Sequence, residues 1–378
     1  MNSGLILPGL PSGARILVVR LRSIGDIVLL TPALRLLKEW RRDLGTSVVI
    51  ESRFRELLEN NPDVDEILSP GDGAGSGKIG ARLRAVREFR RQHFSLCVNL
   101  HGGPTSAFLT RWSGASRKVG FHHYRSPRIY DVLIPDAKVF LGQSSVHTAE
   151  LQAAAFFHLG LPRAPVPRAR LFVKPEHASW WAKRREALGL RADREYALLH
   201  PAALYQTKQW SADKFARLGA WLETEKDLQT VFCCGPGESA VLDAVERAAT
   251  TVHPQQKGIR RLENTSLGQF AAALAGARLF VGNDSGPAHM AAALARPSVV
   301  IFGSSSSAIW GPWPRFRRHG TRPRTEIVPS GEAEPARVVQ NFYDCNPCSG
   351  DRCYCFERPE CILSVTVEQV QSAVEEAL

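Results

Sequence analysis

The chain reads as an α/β protein: two doubly wound, parallel-sheet domains in tandem. Three observations carry that reading. Short β-branched runs, each closing on a polar or glycine turn, alternate with segments whose apolar residues recur at helical spacing. The rhythm pauses once, at "LPRAPVPRAR" (161–170), where three prolines in ten residues make a stiff linker, and then restarts. The chain has 378 residues, beyond the roughly 250–300 at which one core stops growing.

The elements follow in order. "RILVVRL" (15–21) is a first strand, and "IVLLTPALRLLKEWRR" (27–42) presents one apolar helix face. "SVVIE" (47–51) is a second strand, and "FRELLENNPDVDEIL" (54–68) a helix and a strand around a turn at Asn61-Pro62. "PGDGAGSGKIG" (70–80) is a surface loop. It is not a P-loop, because Lys78 has no glycine six positions earlier and no Ser or Thr after it. "SLCVNLHG" (95–102) adds a strand. Beyond the prolines come "YALLHP" (196–201), "QTVFCCGPG" (229–237), "RLFVGNDSG" (278–286) and "SVVIFG" (298–303), four strands ending in turns. This predicts domains over 1–165 and 171–340, then a cysteine-rich segment with a last helix over 341–378.

Composition is that of a soluble globular protein, 44% hydrophobic and 22% charged. No apolar run reaches the roughly 18 residues of a membrane span. The opening "MNSGLILPGLPSG" has no basic stretch and two prolines, so it does not read as a signal peptide, and the cytoplasm is the expected compartment. The net charge of +11 is unevenly spread: residues 1–172 hold 24 Lys and Arg against 14 Asp and Glu, the remainder 24 against 23. Either the first half carries its charge for solubility, or it meets a polyanion: nucleic acid, an anionic membrane surface or an acidic substrate.

In open α/β sheets ligands sit beyond the carboxyl ends of strands, so the turns after strands hold the candidates. In "VGNDSGPAH" (281–289), Gly282 and Gly286 permit close backbone approach and positive φ, Ser285 is placed to cap a helix, and Pro287 fits its first turn. Free amides and the helix dipole then form an anion site suited to phosphate, with His289 in the same turn. An ordinary capped turn that binds nothing would show the same residues. "CCGPGESA" (233–240) matches the G-x-G-x-x-A dinucleotide fingerprint, yet no acid follows before Glu263, so Glu238 is the polar group expected at a ribose hydroxyl. The alternative for Glu238 is a carboxylate favoured at a helix N-terminus. Lys208 sits in the loop before Ser211, an expected N-cap, where a flexible ammonium can neutralise phosphate. Asp26 lies where the first strand turns into its helix, ionised and placed either as a general base or as a helix cap.

Taken together these turns resemble glycosyltransferase family 9, the lipopolysaccharide heptosyltransferases. The resemblance is carried by "ILVVRLRSIGDIVLLTPALRLLK", by "VGNDSGPAHMAAALARPSVVIFGSSSSAIWGPW", and between them by "NLHGGPTSAFLTRWSGASRKVGF" and "HTAELQAAAFFHLGLP". It implies the GT-B fold, two Rossmann-like domains facing across a cleft. It implies inverting, metal-independent transfer of a heptose from ADP-heptose to an inner-core hydroxyl of lipopolysaccharide. By position, Asp26 matches the family's base and Lys208 the lysine at the donor phosphates. Glu238 matches the acid near the ribose, and Asp284, Ser285, Gly286 and His289 the phosphate turn. The expected partners are a nucleotide-sugar donor and an anionic acceptor at the inner face of the inner membrane, with no nucleic acid. Arg111, Arg117, Lys118, Arg125 and Arg128 are candidate acceptor contacts. Where the resemblance implies Pro after Trp210, this chain has Ser211, and "LYQT" (204–207) replaces the small hydroxyl residues before the lysine. A related transferase for another nucleotide sugar, a dinucleotide oxidoreductase and a non-catalytic sugar-nucleotide binder are the competing readings.

Eight cysteines are present, and five of them, Cys345, Cys348, Cys353, Cys355 and Cys361, fall within seventeen residues. They are read as a structural zinc site, a labile disulfide or plain thiols, tying the last helix into place and taking no part in catalysis.

Overall fold

The computed structural model describes residues 6–70, 78–252, 258–313, 316–319, 336–348 and 350–378. The chain forms two compact units, Met1–Phe172 and Val173–Leu378. The first contains β1 (Arg15–Val19), β2 (Gly45–Val49), β3 (Glu66–Leu68), β4 (Leu96–Asn99), β5 (Arg117–Phe121) and β6 (Val132–Ile134). They pair in the order β3-β2-β1-β4-β5-β6, and every pairing is parallel. Ile16 to Val19 are wholly buried, which is why β1 reads as an unbroken apolar run: helices cover both sheet faces. Leu17, Val19, Val49, Phe89, Phe94, Cys97 and Leu109 form its core.

The second unit contains β7 (Tyr196–His200), β8 (Gln229–Cys233), β9 (Arg261–Leu262), β10 (Leu279–Asn283), β11 (Ser298–Phe302), β12 (Phe316–His319) and β13 (Ala336–Gln340). Their order is β12-β13-β11-β10-β7-β8-β9, again all parallel. Each unit therefore winds outward from one strand and then crosses back to its other side. The switch point lies between β1 and β4 in the first unit and between β7 and β10 in the second. The gaps beyond these strand pairs are where the topology leaves room for a ligand.

The last helix, Val367–Ala377, starts at a capping box of Thr366 and Gln369. It buries Val367, Val370, Ala373 and Val374 in the second unit's core, together with Ile362 and Val365. Trp210 locks this end down: its indole N–H donates to the Val365 carbonyl at 2.8 Å, and its ring meets Phe215 edge-on at 5.0 Å. Asn283, wholly buried at the end of β10, accepts the Trp210 amide at 3.1 Å and donates to the Pro201 carbonyl at 2.8 Å. One amide side chain thus fixes both ends of the loop that carries Lys208.

Several expectations change in detail. "FRELL" is a 3-10 helix, Ser52–Leu57, rather than an α-helix. The glycine-rich stretch expected as a loop lies largely outside the described residues (71–77), and where description resumes, Lys78 already begins a helix running to Arg91. The proline-rich stretch is irregular, as expected, yet it is anchored: the Arg170 amide donates to the Thr31 hydroxyl at 3.0 Å, and Leu161 and Ala169 are buried. Proline removes ladder donors from this stretch without preventing its side chains from packing.

Two predictions follow from this packing. Asn283→Ala leaves an amide and a carbonyl unpaired in the interior, and we expect a loss of about 2–4 kcal/mol, read as a fall in urea midpoint at constant m-value. His200 is the second test, since burial pushes its imidazole down to about 4. It is neutral in the folded unit and protonates near 6.5 once unfolded. Its contribution is therefore complete above about pH 6.5 and is lost as pH falls toward about 4, by roughly 3 kcal/mol. Urea midpoints measured across that window should slope for the native chain and flatten in His200→Gln.

Candidate functional site

In the first unit, Asp26 sits on the short helix Ile24–Val28 that follows β1. Its carboxylate accepts the Ser23 backbone N–H and the Ser23 hydroxyl, each at 3.1 Å. Its other oxygen is ion-paired with Arg20. The same guanidinium donates to the Leu100 carbonyl in the turn after β4. Arg20 thereby ties together the two turns that flank the β1/β4 switch point. Gln152 donates to the Asp26 carbonyl at 3.1 Å and holds the helix from below. The Asp26 side chain is only 16% exposed and Arg20 only 13%, so the pair is screened less than a surface ion pair.

His101 and Tyr124 complete this corner, and sequence reasoning had passed over both. The Asn99 side-chain oxygen accepts the amides of His101 at 3.0 Å and Gly102 at 3.4 Å, while its amide donates to Tyr130 Oη at 2.9 Å. Gly102 is needed twice over: its φ is +75°, and a Cβ there would strike the Tyr124 ring at 2.5 Å. Burial, then the Arg20 and Arg22 charges, lowers the His101 imidazole, so it is neutral and can accept a proton or a hydroxyl hydrogen. Burial pushes the Tyr124 phenol well up, which keeps it a hydrogen-bond donor. Of the proposed acceptor contacts, Arg125 and Arg128 follow the carboxyl end of β5, as Tyr124 does. Arg117 and Lys118 open β5 at its amino end, and Arg111 closes the helix Pro104–Trp112. A five-residue strand is about 16 Å long, so these three lie at the opposite edge from Asp26.

In the second unit, Lys208 closes a 3-10 turn, Gln206–Lys208. Its ammonium meets the Asp284 carboxylate at 2.6 Å across the β7/β10 switch point. The Ser305 hydroxyl, beyond β11, donates to the same oxygen of Asp284. Three adjacent strands thus deliver one cation, one anion and one hydroxyl to a single place. Asp284 is followed directly by the helix Gly286–Ala293, with Pro287 in its first turn. Ser285 occupies the N-cap position as expected, but its hydroxyl makes no cap bond and is buried without a partner among the described residues. An orphaned buried hydroxyl carries a desolvation penalty that a ligand oxygen would relieve. His289 is buried in the same first turn. Gly282 serves close approach rather than a left-handed backbone: a Cβ there would come within 2.7 Å of the Phe280 ring and 3.2 Å of the His200 carbonyl. Ser211 also takes its N-cap position without a side-chain cap bond.

Glu238 lies one strand over, in the turn after β8, and is occupied locally: it accepts the Gly235 amide at 2.8 Å. The acid that the dinucleotide fingerprint asks for is present in space. Glu263 follows β9, the strand beside β8, and accepts the Ser239 hydroxyl at 2.5 Å and Arg261 at 2.6 Å. The Ser239 hydroxyl, and Arg261 after it, hold its carboxyl below the usual range. Glu263, set aside in sequence as too far along the chain, is brought here by β9, which is only two residues long.

Five cysteines line one small cavity floored by Thr207 and Ser304. The Cys345 thiol donates to the Asn346 side-chain oxygen at 3.7 Å, and burial pushes Cys361 up to about 11. Among the described residues no group of three or more His, Cys, Asp or Glu side chains is placed to hold a metal ion. What the segment does hold is the donor-side loops. The Cys348 amide donates to Ser304 at 3.0 Å, Asn346 donates to Gly303 at 2.9 Å, and the Thr207 hydroxyl donates to the Gly350 carbonyl. These contacts brace the loops bearing Lys208 and Ser305. Among the described residues no helix is long and apolar enough to cross a membrane.

Comparison with known proteins agrees with this layout. Lipopolysaccharide heptosyltransferase 3 of Escherichia coli K12 is 26% identical over 299 residues, covering 78% of this chain and 83% of that protein. A glycosyl transferase family 9 structure from Veillonella parvula superposes with a TM-score of 0.78 at 20% identity, covering 97% and 98% of the two chains. The ADP-heptose lipopolysaccharide heptosyltransferase II of E. coli gives 0.73 at 20% identity, covering 96% and 99%. The fold is therefore that of two parallel-sheet α/β domains, matching these glycosyltransferase structures. The family model of glycosyltransferase family 9 (heptosyltransferase) matches residues 82–324, and the chain belongs to that family of glycosyltransferases.

Proposed function

We propose that this enzyme transfers a heptose from ADP-heptose to a hydroxyl of a lipopolysaccharide inner-core acceptor, with inversion at the anomeric carbon. The carrying observation is the Lys208–Asp284 pair at 2.6 Å, set at the start of the Gly286–Ala293 helix beside the orphaned Ser285 hydroxyl. A diphosphate leaving group needs positive charge and amide donors where its own charge develops. This turn supplies both from the chain itself. The E. coli heptosyltransferase II to which the chain is similar is named for ADP-heptose, which supports the choice of donor. Glu238 and Glu263 are carboxylates beside the β8 turn that suit a ribose hydroxyl.

On the acceptor side, Asp26 takes the proton from the acceptor hydroxyl. The oxygen then attacks the anomeric carbon from the face opposite the phosphate. The bond to the β-phosphate oxygen breaks, and its electron pair leaves with ADP. Arg20 orients Asp26, and neutral His101 and the Tyr124 phenol hold acceptor hydroxyls. The excess positive charge of residues 1–172 suits an acceptor bearing carboxylates and phosphates.

Two kinetic tests separate these roles. Asp26→Asn keeps the size and the Ser23 contacts yet cannot take a proton; kcat for ADP release should fall by about 10²–10⁴-fold with little change in donor KM. Retained turnover would remove Asp26 as the base. Lys208→Met should lower kcat/KM for the donor by about 10²-fold or more, and full activity there would move the diphosphate elsewhere.

A further inference from the structure

We infer that the outer flank of the first unit, formed by the helix Lys78–Arg91 and the end of the helix Pro104–Trp112, is a docking face for an anionic lipid bilayer. The inference takes its purpose from the membrane-anchored acceptor proposed above, but its test does not depend on transfer.

The helix buries Ala85, Val86 and Phe89 against the sheet. Its opposite stripe, at helical spacing, is Leu83, Arg87 and Arg91. The helix carries six basic residues and one acid, Glu88. Leu83 is 57% exposed and Trp112, on the neighbouring helix, 42%. The indole is also fixed in place. Arg90 donates to the Trp112 carbonyl at 3.2 Å, and the guanidinium groups of Arg90 and Arg111 lie over the ring at 5.6 and 4.9 Å. An indole between guanidinium groups beside an exposed leucine suits the headgroup layer, where the ring enters the boundary and the cations meet lipid phosphates.

The placement also fits delivery of the acceptor. Arg82, in the helix's second turn, donates to Thr105 at 2.9 Å, and Thr105 lies two residues beyond Gly103 in the turn of the Asp26 corner. The helix thus runs from Arg82, beside the carboxyl edge of the first sheet, to Arg90 and Trp112 at the other edge, so a flank lying flat along its length keeps the Asp26 corner near the headgroups as well as the indole. A groove for nucleic acid would place its aromatic and basic groups in a concave track; here they stand on the convex side of a helix.

The test is co-sedimentation of the full chain with vesicles of phosphatidylethanolamine and phosphatidylglycerol, against vesicles of phosphatidylcholine alone. Binding should require the anionic lipid and weaken with salt. An arginine at an anionic surface contributes about fivefold to partitioning. Reversing two in Arg87→Glu/Arg91→Glu should therefore weaken binding by at least ~25-fold. Trp112→Ala, a surface change that keeps the fold, should weaken it several-fold. Both variants should keep full transfer to a lipid-free acceptor fragment. Equal binding to both vesicle types, unchanged binding by both variants, or loss of duplex DNA binding in the variants with vesicle binding intact would overturn the docking face.

Discussion

Each unit depends on a cation that spans its topological switch point. In the first, Arg20 reaches from the Asp26 carboxylate to the Leu100 carbonyl and so joins the turns after β1 and β4. In the second, Lys208 and Asp284 join the turns after β7 and β10. A parallel sheet has no bonding of its own to hold these turns, since the ladder ends with the strands. Without a bridge the two loops would be free to splay, and no ligand group would keep a fixed address. The charges that suit the chemistry are thus also the charges that hold the site closed. They are partly buried, so their attraction outlasts the screening that weakens surface pairs.

The rest of the second unit is organised around that bridge. Asn283 pins the Lys208 loop at both ends, Trp210 ties it to Val365, and the cysteine-rich segment holds it through Gly350. The last helix belongs to the same core. The segment 345–361 therefore forms the shelf on which the two loops bearing Lys208 and Ser305 rest. This accounts for a short segment with so many backbone contacts to Gly303 and Ser304. A Cβ at Gly303 would collide with the Thr207 carbonyl and Ile362, so the packing there leaves no slack for Lys208 to drift.

Much of this was legible from residues alone, and the reasons are specific. β1, β7, β8, β10 and β11 are short runs buried on both faces, so burial wrote itself into composition. The turn at Asp284 to His289 announced itself through glycine, proline and a carboxylate at a strand end. What stayed hidden was whatever depends on the meeting of distant segments. Arg20 looks like a strand-end arginine until Leu100 and Asp26 are placed beside it. Ser305 lies 21 positions from Asp284, and Glu263 follows a strand too short to show a period. β5 opens with Arg117-Lys118 and β12 is "FRRH", neither of which reads as a buried strand. Ser285 shows the opposite error: its position as a cap was plain, but its hydroxyl is left over for something else.

The most direct test of the central claim is calorimetric titration of ADP into the full chain in the presence of a chelator. The account predicts metal-independent binding that weakens about tenfold or more in Lys208→Met, because one charge-assisted contact to phosphate is lost, and that is unchanged in Asp26→Asn. Equal affinity of the native and Lys208→Met chains for ADP, or weakening by Asp26→Asn instead, would contradict it.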